Sequence, residues 1–196
     1  MEVYLVRHGE TSWNREGRYY GDTDISLSER GLLQAENLGR YFRKIEFDKV
    51  IASPLKRAVD TAKKLTEKEV RIDERLREQS FGLFEGKTYQ ELTQEYPAEL
   101  AAWNQEFQEY CIPGGESFHM VRNRVESFAK ELWKEQGKML IVAHKGTFGH
   151  LLAVFLGLPL EGYWNFVFEQ GTYSRIDLED GFAIFRCLNA EPNIQE

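Results

Sequence analysis

Hydrophobic and polar positions follow two periods in alternation along this chain. Residues 3–6 form a short β-branched apolar run, and 139–143 (Met-Leu-Ile-Val-Ala) form an unbroken one; both predict strands, the second suited to the centre of a parallel sheet. Shorter strands are expected at 49–52, 70–72, 173–178 and 182–188. Between them the period changes to that of a helix. Ser28 caps a run to about residue 44 with Leu32, Ala35, Leu38, Tyr41 and Phe42 at helical spacing. Ser53-Pro54 reads as the N-cap and first residue of a helix carrying Leu55, Ala58, Val59, Ala62 and Leu65 inward. One or two helices broken at Pro97 are expected from Thr88 to about residue 110. After a turn at Pro113-Gly114-Gly115, Ser117 caps an amphipathic helix with Phe118, Val121, Val125, Phe128 and Leu132 inward, ended by Gly137; a last helix covers about 147–156. The polar, Gly-punctuated stretch 14–26 predicts a loop. Strands alternating with helices imply a three-layer α/β/α sandwich around a mostly parallel central sheet. With no repeat, linker or low-complexity tract, residues 1–196 are expected to be a single domain.

Two of these strands end in the same way. Arg7-His8-Gly9 follows the first, and His144-Lys145-Gly146 follows the strongest. The carboxyl ends of parallel strands share one rim, where ligands bind in open α/β sheets. This makes His8 a candidate nucleophile toward phosphorus and Arg7 a holder of phosphoryl oxygens. Arg57 is early in a helix that follows a strand, where free N–H groups and the macrodipole favour phosphate. His119 and His150 fall inside predicted helices and are expected to be structural. A metal between His8 and His144 is disfavoured by the adjacent Arg7 cation and by the lack of zincin spacing. Gly82-Leu-Phe-Glu-Gly86-Lys87-Thr88 has three residues between its glycines where a phosphate-binding P-loop has four, and it reads as loop and helix start.

Composition narrows the partners. The 196 residues are 42% hydrophobic and 13% aromatic, enough for a substantial core, with a formal net charge of −7. That charge disfavours nucleic acid and anionic membranes, so an anionic substrate has to be met by a local cluster of Arg, Lys and His. Cys111 and Cys187 have neither disulfide-framework nor metal-site spacing. No signal-like segment opens the chain, and the longest apolar run, around 151–160, is too short to span a bilayer, so a cytoplasmic protein is expected. An exposed edge strand at 182–188 could pair in a homodimer.

Arg7-His8-Gly9-Glu10-Thr11 resembles the signature of the histidine phosphatase superfamily, which includes the cofactor-dependent phosphoglycerate mutases. Ser53-Pro-Leu-Lys-Arg57-Ala-Val-Asp-Thr-Ala62 is similar to the family's second phosphate-binding segment, and Leu76-Arg-Glu78-Gln-Ser-Phe-Gly82 to the block that carries its acid. The resemblance implies a phosphoglycerate mutase-like fold and phosphomonoester hydrolysis through a phosphohistidine, with no cofactor or metal. His8 would be the nucleophile. Arg7, Arg57, His144 and the amides after His8 would hold the phosphate, and Glu78 would be the proton donor, with Glu10 and Glu85 as its nearest competitors. Asn14, Gly21 and Lys145 would complete the substrate-binding set; many relatives have Gly at the position of Lys145. The compact length is similar to the phosphatases, since the mutases' longer basic insertion is absent. Residues 112–117 (Ile-Pro-Gly-Gly-Glu-Ser) and 164–177 are similar to the α-ribazole phosphatases within the family, which remove the 5′-phosphate from the cobalamin lower-ligand nucleoside. A broad-specificity phosphatase, a mutase-like enzyme and a silent phospho-ligand binding module are the alternatives. The presence of both a candidate nucleophile and a candidate acid argues against the last. Trp103, Phe107, Tyr110 and Trp164 would either stack on a benzimidazole or pack as core and lid.

Overall fold

Alternate side chains of two central strands build two separate cores, and this makes the layers. The computed structural model describes residues 1–193. In chain order they form β1 (Glu2–Arg7), α1 (Ser12–Glu16), α2 (Glu29–Phe42), β2 (Lys49–Ala52), α3 (Lys56–Leu65), β3 (Val70–Ile72), α4 (Tyr89–Glu95), α5 (Pro97–Gln105), α6 (Phe118–Leu132), β4 (Lys138–Ala143), α7 (Lys145–Phe155), β5 (Tyr173–Glu179) and β6 (Phe182–Ala190). The six strands form one sheet in the order β3-β2-β4-β1-β5-β6. β1 to β4 run parallel, and β5 is antiparallel to both β1 and β6. The mostly parallel α/β sandwich expected from the chain is the fold observed.

On one face, Val3, Leu5, Met139 and Ile141 pack with Val121, Val125 and Phe128 of α6 and Phe148 and Leu151 of α7. On the other, Tyr4, Val6, Leu140 and Val142 pack with Leu38 and Phe42 of α2 and Ala58, Ala62 and Leu65 of α3. Each fully buried Leu, Val or Phe contributes roughly 1.5–3 kcal/mol over its exposed state. β1 and β4 are apolar on both faces because helices cover both, so they read as unbroken runs. A smaller cluster of Phe84, Leu92, Leu100 and Ile112 supports α4 and α5 beside the sheet's carboxyl-terminal rim.

Three boundaries differ from the periodicity. α1 lies in the stretch expected to be a loop. It has no buried residue and is set by a capping box between Thr11 and Asn14, so it leaves no apolar stripe to find. α3 starts at Lys56 with Leu55 as N-cap, because Ser53 is still held by the sheet: its N–H donates to the Val142 carbonyl at 3.0 Å. α7 begins at Lys145, directly after its N-cap His144 and two residues earlier than expected. Leu32 lies on the exposed side of α2 and does not join the core.

Candidate active site

The register of two parallel strands creates the site. Arg7 pairs with Ala143, so the next residue of each strand, His8 and His144, emerges side by side at the same rim. The His8 N–H donates to the Ala143 carbonyl at 3.0 Å, and the two ring centroids are 5.1 Å apart. Both rings are shut off from solvent. Burial, then Arg57 and Arg7, holds the His8 pKa well below the ordinary imidazole value. Burial, Arg57 and His8 do the same to His144. Both imidazoles are therefore neutral at pH 7. His8 Nδ1 lies 2.8 Å from the Gly9 carbonyl oxygen, which can only accept; Nδ1 carries the proton and Nε2 keeps its lone pair.

Around this pair stand two guanidinium groups with carbonyl partners in place of carboxylates. Arg57 is fully buried; Nη1 donates to Thr23 O at 3.0 Å and Nη2 to Gly21 O at 2.7 Å, while Tyr20 supports its face at 4.6 Å. Arg7 Nη1 donates to Phe168 O at 2.8 Å. Among the described residues neither forms a salt bridge, and the Nε of each is buried without a partner. Buried cations with no carboxylate in direct contact are costly unless an anion completes them. Such a pair could hold an oxyanion.

Among the three candidate acids, the surroundings differ. Glu10 is tied to structure: it accepts from Ser28 Oγ at 2.9 Å and pairs with Arg30 at 3.4 Å. Glu85 accepts from the N–H groups of Gly21 (2.7 Å), Asp22 (3.2 Å), Thr23 (3.1 Å) and Phe81 (2.9 Å) and from Thr23 Oγ1 (2.6 Å). It thereby fixes the loop whose carbonyls hold Arg57. Glu78 is placed differently. Its carboxylate accepts from Gln79 N at 3.1 Å and from Gly146 N, in the first turn of α7, at 3.0 Å, and its charge is felt by both Arg7 and Arg57. A Cβ on Gly146 would meet Glu78 Oε1 at 2.3 Å, so the glycine after His144 makes room for the carboxylate. Arg124 holds the backbone of this segment, donating to the carbonyls of Arg75, Arg77 and Glu78 while paired with Glu116.

The remaining sequence-derived positions are engaged as follows. Asn14 Oδ1 accepts from Thr11 N at 3.0 Å and Gln170 Nε2 at 2.7 Å, which leaves its NH2 as the group that could meet a ligand. Gly21 acts through its backbone, between Glu85 and Arg57; a Cβ there would lie 1.6 Å from Gln79 O. Lys145 is exposed beside the buried His144. The amides after His8 are not free for a phosphate, contrary to expectation: Gly9 N donates to Thr61 Oγ1 (3.1 Å) and Glu10 N to Gln34 Oε1 (2.9 Å). Ser53, read from the sequence as a helix cap, instead places its Oγ 2.7 Å from His144 Nε2. The one sequence signal for that role was its place at the end of a strand.

At Gln79, the residue after Glu78, opens a cavity of about 430 Å³ lined also by Asn104 and the aromatic rings of Tyr19, Phe81, Trp103, Phe107, Phe118, Tyr163 and Trp164. Tyr163 joins it to the rim: burial, and then the charge of Glu78, pushes its phenol pKa up, so it stays neutral. Trp103, Phe107 and Trp164 are thus among its walls, whereas Tyr110 packs against the small cluster under α4 and α5.

Fold and rim together define an α/β protein that sets two neutral imidazoles and two arginines, an arrangement that could hold an oxyanion, beside an aromatic chamber. The chain belongs to the histidine phosphatase superfamily (branch 1), whose family model matches residues 3–191, and it is a phosphatase of that type. It is 36% identical over 195 residues to adenosylcobalamin/alpha-ribazole phosphatase of Escherichia coli K12, covering 97% of this chain and 96% of that one. It is 32% identical to phosphoserine phosphatase 1 of Hydrogenobacter thermophilus, covering 100% and 95%. The crystal structure of the alpha-ribazole phosphatase from Shigella flexneri superimposes with a TM-score of 0.93 at 35% identity, covering all of both chains.

Proposed function

We propose that this enzyme hydrolyses α-ribazole 5′-phosphate to α-ribazole and inorganic phosphate through a phosphohistidine, in the assembly of the cobalamin nucleotide loop. The observation that carries the substrate is the aromatic chamber adjoining Glu78, which suits a planar, aromatic leaving alcohol better than a small polar one such as serine or glycerate. Its volume of about 430 Å³ is in the range of small-molecule sites. The similarity to alpha-ribazole phosphatases over the whole chain supports the same choice.

The chemistry follows from the residues. The phosphate dianion docks against Arg7, Arg57 and His144, each of which keeps one buried nitrogen (Nε, Nε and Nδ1) without a protein partner. His8 attacks through its bare Nε2, forming the P–N bond as the ester P–O bond breaks. Glu78 gives a proton to the departing alkoxide oxygen. Water then attacks phosphorus, Glu78 takes a proton from it, the P–N bond breaks and phosphate leaves. Charge spreads over the equatorial oxygens in each transfer, so fixed cations in a dry pocket account for much of the acceleration.

No helix among the described residues is long and apolar enough to cross a membrane, and the proposal sets the enzyme in the cytoplasm, where such a nucleotide would be met. Pairing of two copies along β6, an edge strand with Phe182, Phe185 and Leu188 exposed, is part of the same proposal. The test is kcat/KM for α-ribazole 5′-phosphate, phosphoserine, 3-phosphoglycerate and p-nitrophenyl phosphate, with His8→Ala beside wild type. The expected result is a preference for the ribazole ester and no turnover by the variant. Equal kcat/KM across the panel would remove the substrate assignment, and an active His8→Ala protein would remove the nucleophile.

A further inference from the structure

Two neutral imidazoles 5.1 Å apart can do opposite work only if they carry their protons on opposite ring nitrogens. For His8 the Gly9 carbonyl decides, and Nε2 is left bare. For His144 the deciding partner is Ser53. β2 lies beside β4, and the register Ala52–Val142 brings the residue after Ala52 against the end of β4. There Ser53 is fully buried, with Oγ 2.7 Å from His144 Nε2. The Leu55 N–H donates to the same Oγ at 3.4 Å. A hydroxyl has one proton and two lone pairs. With one lone pair turned to Leu55, the hydroxyl can meet Nε2 with its proton or with its second lone pair, and the surroundings of the other ring nitrogen choose between them.

When Nε2 accepts the hydroxyl proton, the ring proton sits on Nδ1. That Nδ1 is buried and has no partner among the described residues. A buried donor left without an acceptor is disfavoured and is rare in native structures unless a ligand completes it. Here the two arginines make that ligand an oxyanion. The opposite tautomer would turn a lone pair toward a dianion, which is repulsive.

We propose that Ser53 is a positioning residue: its hydroxyl holds His144 in the Nδ1–H tautomer, so that this imidazole donates to the phosphoryl group while His8 presents a bare nitrogen to phosphorus. The inference rests on the phosphoryl-transfer reading above. It also explains why a serine that resembles a helix cap does not cap α3.

The test is ¹⁵N–¹H two-bond correlation of the histidine rings in the full chain at pH 7.5. Wild type, Ser53→Ala and Ser53→Thr are compared, with His144→Gln used to assign the His144 signals. In wild type and Ser53→Thr, His144 shows a protonated Nδ1 and a bare Nε2; in Ser53→Ala both tautomers appear. Loss of one donor to a developing oxyanion lowers turnover by about 10²–10³-fold. Ser53→Ala frees the tautomer but keeps the ring, so kcat on p-nitrophenyl phosphate should fall by about 10- to 100-fold, below that ceiling, with KM changing less. Ser53→Thr restores most of the rate. A wild-type His144 protonated at Nε2, or a Ser53→Ala protein that loses rate while keeping the wild-type tautomer, overturns the proposal. If Ser53→Ala does not fold, wild-type spectra with and without inorganic phosphate decide: the Nδ1 proton moves downfield on binding, and one that stays unmoved overturns it. Failure of the phosphoryl-transfer reading would appear separately, as a wild-type protein that releases phosphate from none of the esters.

Discussion

His150 provides a measurement of how much the buried imidazoles weaken this fold in acid. It sits on α7 with its ring centroid 4.4 Å from that of Phe118 and 4.8 Å from that of Tyr163. Burial, aided by Arg122, Arg124 and His119, brings its pKa down to about 3. In the unfolded chain the value is about 6.5. Between those two values the unfolded chain binds a proton that the native protein does not, so stability rises with pH and is lost as pH falls below about 6.5. At pH 5 the term is 1.5 units at about 1.4 kcal/mol each, or about 2 kcal/mol; at pH 7 it is close to zero. His8 and His144 are lowered for the same main reason and add to the loss. Against a typical total of about 5–15 kcal/mol this is a large effect. Carboxylates do not obscure it. At Asp73 and Asp177 burial raises the pKa, but hydrogen bonds from Arg75 and from Arg186 and Arg175 prevail, so their stabilisation is lost only as pH falls below the ordinary carboxylate value. The assay is urea unfolding followed by tryptophan fluorescence at pH 7 and pH 5, for wild type and His150→Gln. Wild type should lose at least about 2 kcal/mol across this interval, and the variant about 2 kcal/mol less than wild type, whatever fixed repacking cost it carries. Identical losses in the two proteins would refute the reasoning.

Two further perturbations address the site. Gly146→Ala places a methyl 2.3 Å from Glu78 Oε1; kcat should fall by about 10²-fold, the lower end of general acid–base contributions, with the inhibition constant of inorganic phosphate little changed. An unaltered kcat would mean that Glu78 is not the proton donor. Glu85→Ala releases the five hydrogen bonds that hold Gly21–Thr23 and Phe81. Inorganic phosphate should bind about tenfold more weakly as the carbonyls under Arg57 loosen, the equivalent of about 1.4 kcal/mol; unchanged phosphate affinity in a folded variant would separate Glu85 from Arg57.

How far the site could be read depended on the kind of signal each residue leaves. His8 and His144 were legible because each follows an apolar run, and the end of a parallel strand is a place that can be inferred from one dimension. Arg57 was legible for a similar reason, near the start of a helix. Glu78 was legible only through the resemblance of its segment to the family's acid block, since this chain has 32 acidic residues and what separates Glu78 from Glu10 and Glu85 is which groups each carboxylate meets. The amides after His8 misled for the same reason: Thr61 and Gln34, which take two of them, come from helices distant in sequence. α1 escaped because a capping box without a buried face has no hydrophobic period.

By itself, then, the order of residues determined the layers, the positions of the strands and the two imidazoles that end them, because burial on one or both faces writes a period into the chain. Which carboxylate meets the Gly146 amide, which serine meets His144 and which rings wall the adjoining chamber were decided only when strands, helices and loops packed together at the sheet's rim. Hydrogen-bond geometry acts over about 3 Å and leaves no period behind.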